Sequence, residues 1–159
     1  MESQTYQTSQ YLTFRLDKEL FAVDIAKVRE VLEFSTVTKV PRTPDYMRGV
    51  INLRGNVVPV VDMRLKLGLP ETERTVDTCV VIAEVVVDGD RGILGALVDS
   101  VQEVLDLDGA HVAPPPHIGK RIDTNAVYGM GRRDDEFVII LDIDKVFPSG
   151  DLKQIAASA

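Results

Sequence analysis

Apolar and polar residues alternate over most of this chain with the period of two that marks half-buried strands. Leu12, Phe14 and Leu16 share one face, Asp17-Lys18-Glu19 turns the chain, and Phe21, Val23 and Ile25 resume the pattern, which predicts a hairpin. Asp24 is placed to cap a short helix on which Val28, Val31 and Leu32 recur at i, i+3 and i+4. A strand is expected near residues 37–40, ending at Pro41-Arg42-Thr43-Pro44, where two prolines forbid regular pairing. Residues 50–53 and 57–61 flank Arg54-Gly55-Asn56 as a second hairpin, with Pro59 marking an edge or a bulge. Asp62 then caps one helical turn closed by Gly68.

The second half reads in a similar order. Residues 69–78 form a polar loop, Cys79–Val87 is a strongly apolar strand, and Asp88-Gly89-Asp90 turns into a strand over 93–98. Ser100 and Glu103 have capping-box spacing, which predicts a short helix or tight turn over 101–105. A looser stretch with Pro114-Pro115-Pro116 precedes a strand over 137–143. Val28-Arg29-Glu30-Val31-Leu32-Glu33-Phe34 matches Val101-Gln102-Glu103-Val104-Leu105-Asp106-Leu107 at an offset of 101 − 28 = 73. Val60-Val61-Asp62-Met63 resembles Ile140-Leu141-Asp142-Ile143 at 142 − 62 = 80. Two matches in the same order imply an internal duplication, with halves of about 10–75 and 76–147 sharing apolar surface. Residues 1–9 are expected to be a flexible tail, and 148–159 a tail or short helix.

Composition supports a β-rich single domain. The 159 residues hold 23 Val and 10 Ile against 14 Leu and 10 Ala, and branched side chains suit a pleated surface. A formal charge of −7 argues against nucleic acid and anionic membranes as partners. No apolar run reaches the ~18 residues that span a bilayer, and the first residues lack the basic and apolar pattern of a signal peptide. A single cysteine, Cys79, fits a reducing cytoplasm.

Catalytic patterns are absent. His111 and His117 flank the prolines and do not form a metal set with Cys79, which reads as a small buried hydrophobe in its strand. No nucleophile elbow, zinc-protease helix or phosphate loop occurs, and Gly129-Met130-Gly131 reads as a loop bend. Asp24, Asp62, Asp99 and Asp142 follow apolar strands in both halves and read as caps rather than acid–base pairs. No cofactor is called for. The densest unusual feature is Asn52-Leu53-Arg54-Gly55, where Arg54 is either a solvated turn residue or a guanidinium held out to a partner carboxylate. Glu30, Val28 and Val31 have ordinary readings as a solvated face and as core.

The run Tyr11-Leu12-Thr13-Phe14, Phe21-Ala22-Val23-Asp24-Ile25, Val28-Arg29-Glu30-Val31-Leu32 and Pro41-x-x-Pro44 resembles the CheW family. Arg48 to Gly55, Val58 to Arg64 and Gly95-x-x-Val98-Asp99-x-Val101-x-x-Val104-Leu105 extend the resemblance over about residues 10–147. It implies an all-β fold with short helices, built as two small SH3-like five-stranded β-barrels around a shared hydrophobic core. It also implies a non-enzymatic chemotaxis adaptor, cytoplasmic and recruited to membrane receptor arrays without inserting into the membrane. Such a protein couples the cytoplasmic tips of methyl-accepting chemoreceptors to the histidine kinase CheA through the kinase's own CheW-like regulatory domain. By motif, Arg54 with Asn52 and Gly55 is implied as a contact point, Glu30 with Val28 and Val31 as neighbouring surface. Val98 and Val101 are implied to line a groove for a receptor helix, although core packing accounts for both equally well. No receiver or kinase segment is expected beside the module. The rivals are a small hydrolase using Cys79 and a histidine, and a nucleic-acid-binding β-barrel, which the acidic charge and scarce aromatics oppose.

Overall fold

The computed structural model of the chain describes residues 8–34, 36–87, 89–108, 112–113 and 126–146. Both histidines, the triple proline, residues 1–7 of the expected N-terminal tail and residues 148–159 lie outside the described residues, whereas Thr8 and Ser9, also expected in the tail, begin the first strand. Among the described residues ten strands run β1 (Thr8–Leu16), β2 (Glu19–Asp24), β3 (Val28–Glu33), β4 (Met47–Leu53), β5 (Asn56–Asp62), β6 (Cys79–Val87), β7 (Asp90–Val98), β8 (Ser100–Asp108), β9 (Val127–Arg133) and β10 (Glu136–Leu141). One helical turn follows β5 as α1 (Met63–Lys66), and another follows β10 as α2 (Ile143–Val146).

The strands form two five-stranded sheets, ordered β8-β1-β2-β10-β9 and β3-β6-β7-β5-β4, here called sheet A and sheet B. Their pairings correspond throughout. Each has an antiparallel hairpin (β1–β2, β6–β7), a parallel neighbour (β10 on β2, β5 on β7) and a second hairpin at one edge (β9–β10, β4–β5). The matching segments 28–33 and 101–106 lie on β3 and β8, which hold the corresponding edge of each sheet. Each sheet draws two strands from one half of the chain and three from the other, so the chain crosses between sheets after β2 and again after β7.

The halves bury three apolar clusters. Tyr11, Leu20, Ala22, Leu107, Val138 and Ile140 fill sheet A's own interior, and Val58, Val60, Val80, Ile82 and Leu97 fill that of sheet B. The largest cluster lies between the sheets and includes Phe14, Phe21, Val61, Val81, Leu94 and Ile139. Alternate residues of one strand enter different clusters, as when Val138 and Ile140 face sheet A's interior while Ile139 and Leu141 face the shared core. Strands covered on both faces need near-continuous apolar runs, which accounts for Val80-Val81-Ile82-Ala83 and Val138 to Leu141.

Several local expectations are corrected. Residues 28–32 are strand β3, with inward and outward positions alternating, and the helix is confined to a 3-10 turn over Ile25–Lys27. The Asp24 carboxylate caps that turn by accepting from the Ala26 N–H at 2.9 Å. The apolar spacing looks helical because a register shift between Val28 and Glu30 changes the phase of the strand against β6. Residues 101–105 likewise belong to β8, where Thr13 Oγ1 donates to the Glu103 carbonyl and accepts from its N–H at a bulge in β8. The strand expected at 37–40 is reduced to one isolated bridge, Thr38 to Val50. Gly129-Met130-Gly131 lies inside β9 rather than in a loop bend: a Cβ on Gly129 would come 2.8 Å from the Ala113 carbonyl oxygen, so close backbone approach selects the glycine. Pro59 sits within β5, one residue before its parallel ladder to β7 begins at Val60. Asp62 and Asp142 cap α1 and α2, whereas Asp99 caps no helix and accepts instead from the Asp17 N–H and Arg64.

Candidate functional site

The β4–β5 hairpin ends in a two-residue turn, Arg54-Gly55, between the paired residues Leu53 and Asn56. Both turn residues have positive φ, 51° and 88°, which is the type I′ geometry that matches the twist of the flanking strands. Asn52 Oδ1 accepts from the Gly55 N–H at 2.8 Å, so this exposed side chain fixes the turn. Leu53 packs toward sheet B's interior, anchoring the tip from below.

The hairpin projects Arg54 toward β3. Its Nη1 and Nη2 donate to Glu30 Oε2 and Oε1 at 2.6 and 2.9 Å, a two-pronged pair between the outermost strands of sheet B. The two residues are 24 positions apart in the chain. The sequence singles out each but does not connect them. The guanidinium beside Glu30 holds that carboxyl below its ordinary value, and the Arg54 value is raised in return. Arg54's side chain remains 71% exposed and Glu30's 26%. Arg54 is therefore neither solvated alone nor waiting for its first carboxylate. The pair uses one N–H of each Nη atom, and the exposed guanidinium keeps further in-plane N–H donors for another acceptor.

Val31 stands 41% exposed next to Glu30, and Val57, one residue into β5, is 58% exposed. Val31 follows Glu30 on β3 with its side chain on the opposite, outward face of the strand. Val57 is not among the contact residues that the motif implies, although its place outside the alternating core positions is legible in the sequence. Val28 is half-buried and packs against the shared core. Val101 does the same from β8, whereas Val98 is only 1% exposed. Val98 thus lies under the surface and supports the junction of the sheets without offering a side chain to a partner.

Sheet A carries a related arrangement. Glu103 on β8 and Arg133 on β9, again the two outer strands, approach to 3.5 Å, and Arg133 also meets Glu136. Arg15 donates through both Nη atoms to Glu136. In each sheet a connecting segment pairs with one outer strand, Thr38 with Val50 of β4 and Ala113 with Met130 of β9. Cys79 is half-buried, packs against the shared core and donates to the Asp77 carbonyl at 3.2 Å. Among the described residues no group of three or more His, Cys, Asp or Glu side chains is gathered as a metal site.

Comparison with known proteins places this architecture. The model of the CheW-like domain matches residues 10–151. A chemotaxis protein CheW from Klebsiella aerogenes is 32% identical over 143 residues, spanning 90% of this chain and 84% of that protein. One from Rhizobium meliloti is 33% identical over 138 residues, spanning 87% and 86%. The crystal structure of the scaffolding protein TtCheW from Thermoanaerobacter tengcongensis superimposes with a TM-score of 0.79 at 32% identity, covering 91% of each chain.

Proposed function

Because this chain belongs to the CheW-like domain family, we propose that it is a chemotaxis coupling protein that joins receptors to a kinase without catalysing a reaction. The observation that carries the reading is the match over residues 10–151, which takes in both sheets and the Asn52-Leu53-Arg54-Gly55 hairpin tip. The partners are the cytoplasmic tips of chemoreceptors and the CheW-like regulatory domain of the histidine kinase CheA. Contact with the membrane comes through the receptors. Among the described residues, no helix is long and apolar enough to cross a bilayer.

Each sheet is a small SH3-like barrel in this reading. Its support is the ion pairs Arg54–Glu30 and Arg133–Glu103, which link the two outer strands of each sheet, and the bridges that lay the segments following β3 and β8 against β4 and β9. The corresponding pairings of the two sheets support a duplicated single domain over 10–147, with halves of about 10–75 and 76–147. The Arg54–Glu30 pair is the charged centre of the docking surface in this reading, with the exposed Val31 and Val57 as further apolar contact residues on β3 and β5. Coupling then needs only different contacts in the two signalling states, typically worth ~1–3 kcal/mol.

The test is titration of Arg54→Glu against a receptor tip and, separately, against the kinase's CheW-like domain. Loss of an interface anchor lowers affinity about thirtyfold, equivalent to ~2 kcal/mol. An exposed ion pair contributes little to the fold, so melting should scarcely move. The double variant Glu30→Arg/Arg54→Glu restores the internal pair but reverses the charge shown to the partner, so it should stay weak. Wild-type affinity for both partners would refute the patch.

A further inference from the structure

The two crossings between the sheets are held by ion pairs of opposite polarity. Asp99 is the single residue between β7 in sheet B and β8 in sheet A. It receives Arg64 Nη1 at 2.6 Å. The other crossing, from β2 to β3, contains Lys27, whose Nζ donates to Asp144 Oδ2 at 2.7 Å. Arg64 and Asp144 are the second residues of α1 and α2, the helical turns that follow corresponding strands β5 and β10.

Each helix therefore reaches the crossing that its own half of the chain does not supply: α1 grips the β7–β8 junction, and α2 grips the β2–β3 junction. Each grip also takes hold of a hairpin in the opposite sheet. Asp99 Oδ2 accepts from the Asp17 N–H in the β1–β2 turn at 2.7 Å, and Asp17's carboxylate lies 3.6 Å from Arg64 Nη2. Asp144 Oδ1 accepts from the Val86 N–H near the end of β6 at 2.8 Å. Arg64 is buried, and its Nε–H donates to the Pro70 carbonyl at 2.7 Å, which orients the guanidinium fork.

The charges are inverted between corresponding places. A cation on α1 meets an anion at its crossing, and an anion on α2 meets a cation at its own. Pairing each helix with the crossing of its own half would set Arg64 against Lys27 and Asp144 against Asp99. Those like-charge contacts are repulsive, so only the observed arrangement satisfies both helices. Apolar contact in the shared core is non-directional, whereas these bonds have fixed donors and acceptors.

We propose that Arg64–Asp99 and Lys27–Asp144 are positioning pairs that fix the orientation of sheet A against sheet B at the two points where the chain changes sheet. A fixed orientation would hold docking faces on the two sheets at a constant separation. That consequence rests on the adaptor reading, but the pairs themselves do not. The measurements below use the protein alone, so they and the binding titrations fail independently.

The test reverses charges in the full chain: Arg64→Asp, Asp99→Arg and both together, then Lys27→Asp, Asp144→Lys and both together. Each single reversal should lower the folded-to-unfolded ratio by roughly 10- to 100-fold in urea titrations. Each double reversal should recover about tenfold or more of its single variants' combined loss. Recovery will be incomplete, because a carboxylate at position 64 cannot donate to Pro70 and an ammonium at position 144 cannot accept from Val86. Residual dipolar couplings of backbone amides report orientation directly. The amides of both sheets should fit one alignment tensor in the parent and the double variants, and two different tensors in the single ones. Where a single reversal does not fold, Arg64→Met or Asp144→Asn takes its place with the same expectation. Purely additive losses would overturn the pairing, and a common tensor in weakened single variants would reduce the pairs to ordinary stabilising contacts.

Discussion

Gly49→Ala tests whether the bridge beside the hairpin helps to hold β4 in place. Gly49 lies in β4 at φ +148°, and a Cβ there would sit 2.3 Å from the Thr38 carbonyl oxygen and 2.8 Å from its carbon. Neither contact is tolerable, and both atoms are backbone, so a side-chain rotation cannot relieve them. The segment carrying Thr38 must move away, breaking Val50 N–H to Thr38 O at 2.8 Å and Thr38 N–H to Val50 O at 2.9 Å. Two backbone hydrogen bonds contribute about 1 kcal/mol each, and an alanine held at this φ costs about 1–3 kcal/mol. The expected loss is therefore ~3–5 kcal/mol, which for a domain of this length lowers Tm by roughly 6–20 °C. Gly55→Ala is the matched control. Its φ is also positive, +88°, but no atom lies within 4 Å of the new Cβ, so only the ~1–3 kcal/mol conformational part applies. Thermal and urea unfolding of both variants give the magnitudes, and amide exchange at Val50 reports whether the bridge has opened. A Gly49→Ala protein no less stable than Gly55→Ala, with the Val50 amide still protected, would refute the reasoning.

Other substitutions separate buried from exposed roles. Val98→Ala should cost about 2 kcal/mol from lost burial and the cavity left behind, while Val31→Ala stays within about 0.5 kcal/mol; urea midpoints decide both. Burial raises the Asp62 carboxyl, so the folded state holds this proton more tightly than the unfolded one, and stability from the group falls as pH rises through the raised value. Asp62→Asn keeps the cap acceptor without the buried charge, and should match or exceed the parent at pH 7, whereas Asp62→Ala should lose about 1 kcal/mol in the same melts. The Glu30 carboxyl is shifted the other way by Arg54, so its contribution is present above the ordinary value of 4.5 and lost as pH falls through the lowered one. Glu30→Gln should flatten that part of the acid unfolding curve, and an unchanged acid limb would show that the pair does not persist in solution.

What the sequence determines here is local. The β1–β2 and β4–β5 hairpins, the limits of Cys79–Val87 and the helical turn after Asp62 were legible because alternation, turn residues and caps act within a few positions. The Asn52-Leu53-Arg54-Gly55 tip was legible for the same reason, since Asn52 and Gly55 set its backbone by themselves. The identity of β3 and β8 was not. Over five residues, Val28, Val31 and Leu32 satisfy a helical spacing as well as a strand with a register shift, and pairing with Val80 to Ala83, some fifty residues away, decides for the strand. Long-range pairing also brings Glu30 to Arg54 and Thr13 to Glu103, and sets Gly49 and Gly129 against neighbouring backbone. Arg64 and Asp99 carry no local sign of their partnership; a charged residue in one helical turn and an aspartate after a strand read as solvent and cap. Only the exchange of strands between the two sheets places them face to face, because side-chain charge is written in the sequence but the distance between charges is set by the packing of both halves.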